Sequence, residues 1–110
     1  MKTIVITGAS AGIGAALARR FAKEGHRLVL LARRLDKLET LRDEIGKNQA
    51  AVFALDVTSR QAVEKTFAQI EKEVGPIDVL VNNAGGAFGL DRAQEAQLDE
   101  WEKCVDVNVG

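Results

Sequence analysis

Short apolar runs alternate along this chain with longer stretches in which apolar residues recur every three or four positions. The runs lie at residues 4–6, 28–32, 50–55 and 77–81; they are nearly continuous and rich in β-branched side chains. Strands that are apolar on both faces are typical of a parallel sheet covered by helices. Each run therefore predicts one strand of such a sheet.

The stretches between the runs have the period of amphipathic helices. They predict helices over residues 14–24, 36–45 and 59–74, and a last helix near residues 99–107. Thr58 and Gln61 have the spacing of a capping box at the start of the third helix. Gly25, Gly46 and Gly75 follow the last periodic residues and are predicted to terminate the helices.

Strands and helices that alternate with right-handed crossovers give an open α/β sheet. The predicted strand order is 3-2-1-4, with helices on both faces in three α/β/α layers, which is half of a doubly wound fold. A chain of 110 residues can bury one core, so residues 1–110 are interpreted as a single domain.

Composition and charge exclude several classes of function. A net charge of -1 provides no long-range field toward nucleic acid or an anionic membrane. No apolar run approaches the roughly 20 residues of a membrane-spanning helix. One cysteine, Cys104, and one histidine, His26, supply neither a disulfide framework nor a metal site. The chain begins directly on a strand-like run without a secretory leader pattern, which favours a cytoplasmic protein.

The first predicted strand leads into the sequence TGASAGIG at residues 7–14, and a helix follows at once. Glycines permit a tight turn close to a pyrophosphate, and the helix N-terminus adds unpaired N–H groups and a positive dipole end. No lysine is placed to reach β- and γ-phosphates, so a dinucleotide is favoured, with a purely structural corner as the alternative. The predicted cofactor contacts are Gly8, Ser10, Gly12, Ile13 and Gly14.

Two arginines, Arg33 and Arg34, end the second predicted strand, nineteen residues after Gly14. An acidic side chain near this point would hydrogen-bond the ribose 2′-hydroxyl of NAD. Arginine instead grips a 2′-phosphate and stacks on adenine, so NADP is predicted in preference to NAD. In the alternative interpretation, the arginines lie in a solvated approach to the helix and pair with Asp36 or Glu39.

Three motifs stand in order at the ends of predicted strands. They are TGxxxGIG at residues 7–14, the pair Asp56-Val57, and NNAG at residues 82–85. Together they resemble the N-terminal motifs of the short-chain dehydrogenase/reductase family, and the resemblance covers the whole chain. It implies a Rossmann-like fold that binds a nicotinamide dinucleotide.

The resemblance also implies roles for individual residues. Asp56 would contact the adenine amino group and Val57 would line the adenine pocket. The residues that would steady the fourth strand beside the adenine ribose are Asn83, Ala84 and Gly85. Taken alone, an aspartate after a strand could cap a turn, and an Asn-Asn pair could be an ordinary turn.

Asn108 is similar to the asparagine of the family's Asn-Ser-Tyr-Lys catalytic set, which bends a helix and holds a water in the proton relay. Its alternative interpretation is a chain-end residue without a special role. Hydride transfer to a carbonyl needs a proton donor, which the family takes from a tyrosine, and this sequence contains none. The resemblance implies that the catalytic half lies beyond Gly110 and that the 110 residues alone are inactive.

Residues 85–91 and 98–101 resemble the subgroup of the family that oxidises serine and other 3-hydroxy acids. The favoured interpretation is the NADP(H)-binding portion of an oxidoreductase that acts on small hydroxy or carbonyl compounds. The alternative is a stand-alone or engineered half domain that binds nucleotide or self-associates without catalysis.

A homo-oligomer is also expected. The outer edge of the fourth strand is predicted to be unpaired, and the last helix is predicted to expose Trp101, Val105 and Val109. Association through that edge or that helix would cover both.

Overall fold

The computed structural model describes residues 1–10, 12–56, 59–83 and 103–106, the last of these ranges by its backbone alone. The strands are β1 (Thr3–Thr7), β2 (Arg27–Ala32), β3 (Ala50–Ala54), β4 (Val79–Asn82) and β5 (Lys103–Asp106). The helices are α1 (Gly12–Lys23), α2 (Leu35–Ile45) and α3 (Arg60–Glu73). The four predicted strands and the first three predicted helices are confirmed, each within two residues of its predicted ends.

The strands form one parallel sheet in the order β3-β2-β1-β4-β5. β1 lies in the middle: Val5 is opposite Val29 on one side and opposite Leu80 on the other. The predicted order 3-2-1-4 is confirmed. The chain moves outward from β1 to β3 and then crosses back to β4, so the order reverses between β1 and β4. At such a reversal, the carboxyl ends of the strands leave a crevice for a ligand.

The predicted last helix is wrong at residues 103–106, which form β5. β5 runs parallel to β4, from Lys103 opposite Val79 to Asp106 opposite Asn82. The valines of this segment fall at alternate positions, 105, 107 and 109, which is the period of a strand. Pairing also gives the backbone of β4 partners that it would otherwise lack.

Self-association was expected partly because the outer edge of β4 was predicted to be unpaired. The outer edge of β4 is paired, so the expectation of an unpaired edge there is wrong. The side chains of Trp101, Val105 and Val109 lie outside the described part of the chain.

Each face of the sheet carries its own apolar core. Successive residues of a strand point to opposite faces, so the nearly continuous apolar runs fill both cores. The core against α3 contains Val5, Val29, Leu31, Leu80, Val63, Phe67 and Ile70. The core against α1 and α2 contains Ile4, Ile6, Leu28, Leu30, Val81, Ala15, Ala18, Leu38 and Leu41. Because α1 contributes small residues to its core, it can pack close to the sheet beside the end of β1.

Helix ends follow the predicted pattern with one correction. Gly25, Gly46 and Gly75 lie just past α1, α2 and α3 in left-handed conformations, as predicted. The N-cap of α3, however, is Ser59, whose hydroxyl oxygen accepts a hydrogen bond of 3.3 Å from the Ala62 N–H. The capping box predicted one residue earlier is wrong because α3 begins at Arg60, which places Ser59 at the capping distance.

We expect Ser59→Ala to lower the free energy of unfolding by about 1 kcal/mol, because it leaves the Ala62 N–H without its acceptor. Gln61→Ala is the matched control: its side chain would matter in the capping box first predicted, and it is expected to change stability by less than about 0.5 kcal/mol. Urea unfolding measures both. A larger loss for Gln61→Ala than for Ser59→Ala would contradict the assignment of the cap.

Candidate functional site

The carboxyl ends of β1 to β4 bring four short segments to one edge of the sheet. Residues 8–10 follow β1, Arg33 and Arg34 follow β2, Asp56 lies two residues after β3, and Asn83 follows β4. A backbone hydrogen bond joins the segment after β1 to β2: the Ala9 N–H donates to the Leu31 carbonyl at 3.2 Å. The predicted site residues of the described part of the chain are therefore brought to one edge.

The turn after β1 depends on glycine in two different ways. Gly8 and Gly12 have φ angles of 64° and 61°, a region that other residues rarely adopt. At Gly14 the constraint is contact: a Cβ atom would lie 2.3 Å from the Gly8 carbonyl oxygen and 2.7 Å from Nδ2 of Asn83. Glycine therefore lets α1 begin directly against the turn and against the end of β4.

Open space lies beside Gly12, where an added Cβ would meet nothing within 4 Å. The first turn of α1 contains no acidic residue, so nothing in that turn neutralises the positive end of the helix dipole. Ile13 follows, with 44% of its surface exposed. This end of α1 can receive an anionic group without steric or charge conflict.

Thr7 joins the ends of β1 and β4. Its side chain is completely buried, and its hydroxyl oxygen accepts a 3.0 Å hydrogen bond from the Asn83 N–H. The same hydroxyl lies 3.1 Å from Oδ1 of Asn82 and 3.4 Å from the Val81 carbonyl, and its single proton can be donated to either. One buried side chain thus fixes where the chain leaves β4.

The Asn83 side chain ties the end of β4 to the glycine turn. Its Nδ2 donates to the Gly8 carbonyl at 3.2 Å, which sets the orientation of the amide, because the reversed amide would place two acceptors together. Among the described residues, its Oδ1 is buried without a hydrogen-bond partner. This oxygen can therefore accept one more hydrogen bond.

A basic cleft of about 510 Å³ opens beside the glycine turn. Ser10 contributes one wall, and the remaining lining residues are Arg33, Arg34 and Lys37. Arg34 is also the N-cap of α2 but makes no side-chain capping bond, since its guanidinium has only donors. The cleft therefore combines three cations with a helix N-terminus that lacks a side-chain cap.

The alternative interpretation of the arginines, in which they pair with Asp36 or Glu39, is observed for one pair. Nη2 of Arg34 lies 3.4 Å from Oδ2 of Asp36, and the two side chains are 72% and 64% exposed. An ion pair this exposed contributes little stability, so it does not prevent the guanidinium from meeting another anion. The pair is compatible with either role of Arg34.

Lys37 was missed by the sequence interpretation. It lies in the first turn of α2, three residues after Arg34. The N-cap residue and the residue three positions later lie close together at a helix start, and this spacing is the signal that could have added Lys37 to the site.

A smaller cavity of about 210 Å³ lies between α1 and α2 and shares Ser10 and Lys37 with the basic cleft. Arg19 of α1 forms a two-point ion pair with Glu44 of α2 at its margin, with Nη2 to Oε1 at 3.4 Å as the longer contact. The hydrogen bond from Arg19 holds the pKa of the Glu44 carboxyl below its ordinary value. The pair connects the two helices whose N-termini border the site.

Asp56 is not among the residues that line the basic cleft. Asp56 is exposed, and its backbone carbonyl accepts a hydrogen bond from the Ser59 N–H at 3.1 Å. Any residue can make this main-chain bond, so it does not distinguish the two roles of Asp56. The predicted residues Val57, Ala84, Gly85 and Asn108 lie outside the described residues. Within the described ranges, no group of three His, Cys, Asp or Glu could hold a metal, and no helix has the length and apolarity to cross a membrane.

Residues 2–110 match the family model described as short chain dehydrogenase. The chain is 43% identical over 105 residues to the NADP-dependent 3-hydroxy acid dehydrogenase YdfG of Salmonella typhi, covering 96% of this chain and 42% of that protein. It is 43% identical to the serine 3-dehydrogenase of Agrobacterium fabrum, covering 97% of this chain and 43% of that protein. The chain thus spans less than half the length of these relatives.

The fold is similar to the crystal structure of serine dehydrogenase from Escherichia coli. The TM-score is 0.70 at 41% sequence identity, and the match covers 91% of this chain and 46% of that one. The resemblance to proteins that act on serine and 3-hydroxy acids is therefore present in both sequence and structure.

We expect Thr7→Val to lower the free energy of unfolding by about 1 kcal/mol, because a near-isosteric methyl group removes the 3.0 Å acceptor of the Asn83 N–H and leaves it only the Val81 carbonyl at 3.2 Å. Thr7→Ser retains the hydroxyl and serves as the control. Hydrogen exchange at the Asn83 amide distinguishes the two variants: it should accelerate in Thr7→Val and stay protected in Thr7→Ser. Equal exchange in both would show that the hydroxyl does not hold this amide.

In Arg19→Gln we expect the pKa of Glu44 to rise toward its ordinary value of about 4.3, because the guanidinium that stabilises the carboxylate is lost. Since the folded-state pKa of Glu44 is lowered, the pair stabilises the fold above the unfolded pKa and this contribution is lost as pH falls through the folded one. Side-chain NMR titration measures the pKa of Glu44 in both proteins. Arg20→Gln, which removes the neighbouring pair with Glu24, should leave Glu44 unchanged.

Proposed function

Because the chain belongs to the short-chain dehydrogenase family, we propose that it is the NADP(H)-binding portion of an oxidoreductase. The basic cleft formed by Ser10, Arg33, Arg34 and Lys37 is the observation that carries the cofactor assignment. Relatives named for NADP dependence support it.

The glycine turn fits the pyrophosphate of a dinucleotide. Gly12 leaves open space, and the N-terminus of α1 presents N–H groups and the positive end of its dipole there. Gly8, Ser10, Ile13 and Gly14 belong to the same segment and complete the proposed contact surface. No acidic residue of this described segment would repel the phosphates.

The basic cleft fits the 2′-phosphate that distinguishes NADP from NAD. Among its described lining residues none is acidic, and two carry guanidinium groups that can bind phosphate in a two-point geometry. We propose Arg33 and Arg34 as the 2′-phosphate clamp, with the exposed pair between Arg34 and Asp36 opening when phosphate binds.

Four further contacts remain part of the proposal on the strength of the family resemblance. Asp56 and Val57 would meet the adenine, and Ala84 and Gly85 would lie with Asn83 beside the adenine ribose. Asn83 has the clearest support, since its amide already bonds the glycine turn.

Bound nicotinamide supplies the hydride chemistry, and the residues described here bind and orient the dinucleotide. The carbonyl or alcohol oxygen also needs a proton donor or acceptor, which the family takes from a tyrosine. None of the 110 residues is a tyrosine, so catalysis requires residues other than these. We propose Asn108 for the proton-relay position.

For the complete enzyme we propose small hydroxy or carbonyl substrates, with serine and other 3-hydroxy acids as the first class to test. The names of two relatives and the similarity to a serine dehydrogenase structure support this choice. A cytoplasmic location and a homo-oligomeric state stay predictions.

A second candidate function is a half domain that binds NADP without catalysis. The observation that favours it is β5: the chain covers the outer edge of β4 with its own strand. The mass of the protein in its source organism separates the two, because the first proposal requires catalytic residues other than these 110 and the second requires none.

We expect the chain to bind NADP more tightly than NAD, and Arg33→Asp to weaken NADP binding by at least about tenfold, because a charge-assisted contact to phosphate contributes about 1.5–3 kcal/mol. NAD affinity should change much less. Calorimetric titration with both dinucleotides measures the difference.

Arg60→Asp is the matched control, because Arg60 is an exposed arginine of α3, on the opposite face of the sheet. It makes the same change in net charge and should leave the preference for NADP intact. Equal affinities of the unmodified chain for NADP and NAD would overturn the proposed 2′-phosphate clamp.

A further inference from the structure

We propose that Lys37 is a specificity-determining residue for NADP, acting as the third cation that receives the 2′-phosphate. This inference rests on the proposed function and extends the site beyond the two arginines that end β2. It adds a cation from a different element, the first turn of α2.

Lys37 lines the same cleft as the segment that follows β1. The other lining residues are Ser10 of that segment and Arg33 and Arg34 at the end of β2. The arginines are consecutive residues before the helix, whereas Lys37 is a helical residue. A phosphate in this cleft would therefore meet positive charge from the β2 end and from the helix.

The charges of the cleft match a phosphate monoester. Arg33, Arg34 and Lys37 carry three positive charges, and one negative charge, that of Asp36, is paired with Arg34. A phosphate monoester carries about −1.5 to −2 charges at neutral pH. Without Lys37, the two arginines and Asp36 together would retain only one net positive charge.

Lys37 is not engaged elsewhere. Among the described residues, its ammonium group makes no hydrogen bond or ion pair. The carboxylate of the adjoining cavity, Glu44, is already bonded at both oxygens by Arg19. Lys37 therefore forms no ion pair with Glu44, and its ammonium group is available to a ligand.

The local sequence of α2 is unfavourable unless an anion is present. A cation in the first turn of a helix opposes the helix dipole, and the N-cap residue Arg34 offers no acceptor to the first N–H groups. Asp36 compensates in part. A bound phosphate would satisfy both the dipole and the ammonium group, and departures from local helix rules of this kind concentrate at functional sites.

Titration calorimetry of the full chain with NADP and with NAD tests the inference. Lys37→Met should weaken NADP binding by about fivefold, the effect of one partly screened charge near the phosphate, and should leave NAD binding nearly unchanged. Lys37→Arg should restore most of the preference. Lys65→Met, an exposed lysine of α3, is the matched control and should behave as the unmodified chain does.

The outcomes separate this inference from the proposed function. If the unmodified chain prefers NADP, Arg33→Asp loses that preference and Lys37→Met keeps it, the inference is wrong and the proposed function stands. If the unmodified chain binds NADP and NAD equally, both are overturned. If Lys37→Met weakens NADP and NAD to the same extent, the residue acts on helix α2 rather than on the 2′-phosphate, and the inference is again wrong.

Discussion

The close approach of α1 to the ends of β1 and β4 is the constraint on which the site depends. At Gly14 there is no room for a side chain, because the Gly8 carbonyl and the Asn83 amide occupy the space where a Cβ would stand. This contact places the N-terminus of α1 in the crevice where the strand order reverses. Thr7 fixes the other side of the contact, since its buried hydroxyl holds the Asn83 N–H. These two contacts fix the positions of the α1 N-terminus, the glycine turn and the end of β4 relative to one another.

Parallel pairing of the strands then brings the segment after β2 to the same edge of the sheet. Because β2 lies beside β1 in the same direction, its last residues end at the same edge as the glycine turn. The arginines that follow β2 therefore line the same cleft as Ser10. The position of α2 follows from its core residues Leu38 and Leu41, and it makes Lys37 part of the lining of the cleft.

Much of this could be predicted from the sequence, because the evidence is local. Continuous apolar runs identify strands buried on both faces, and the glycine spacing at residues 7–14 identifies the turn. Three features could not be predicted. The strand at residues 103–106 depends on its pairing with β4, which outweighs a weak helical pattern. The cap at Ser59 depends on where α3 begins. Lys37 lines the cleft through the packing of α2, and its spacing from Arg34 is the one sequence signal for it.

The electrostatics of the cleft explain why an exposed group of cations can remain selective. Exposed ion pairs in water contribute little, so the pair between Arg34 and Asp36 is easily exchanged. A phosphate that reaches several donors at once gains more than any single carboxylate can offer, because its oxygens accept several charge-assisted bonds together. NAD, which presents a hydroxyl at this point, gains nothing comparable. In the proposed clamp, discrimination would come from the number of cations that line the cleft, and the packing of β2 and α2 brings those cations together.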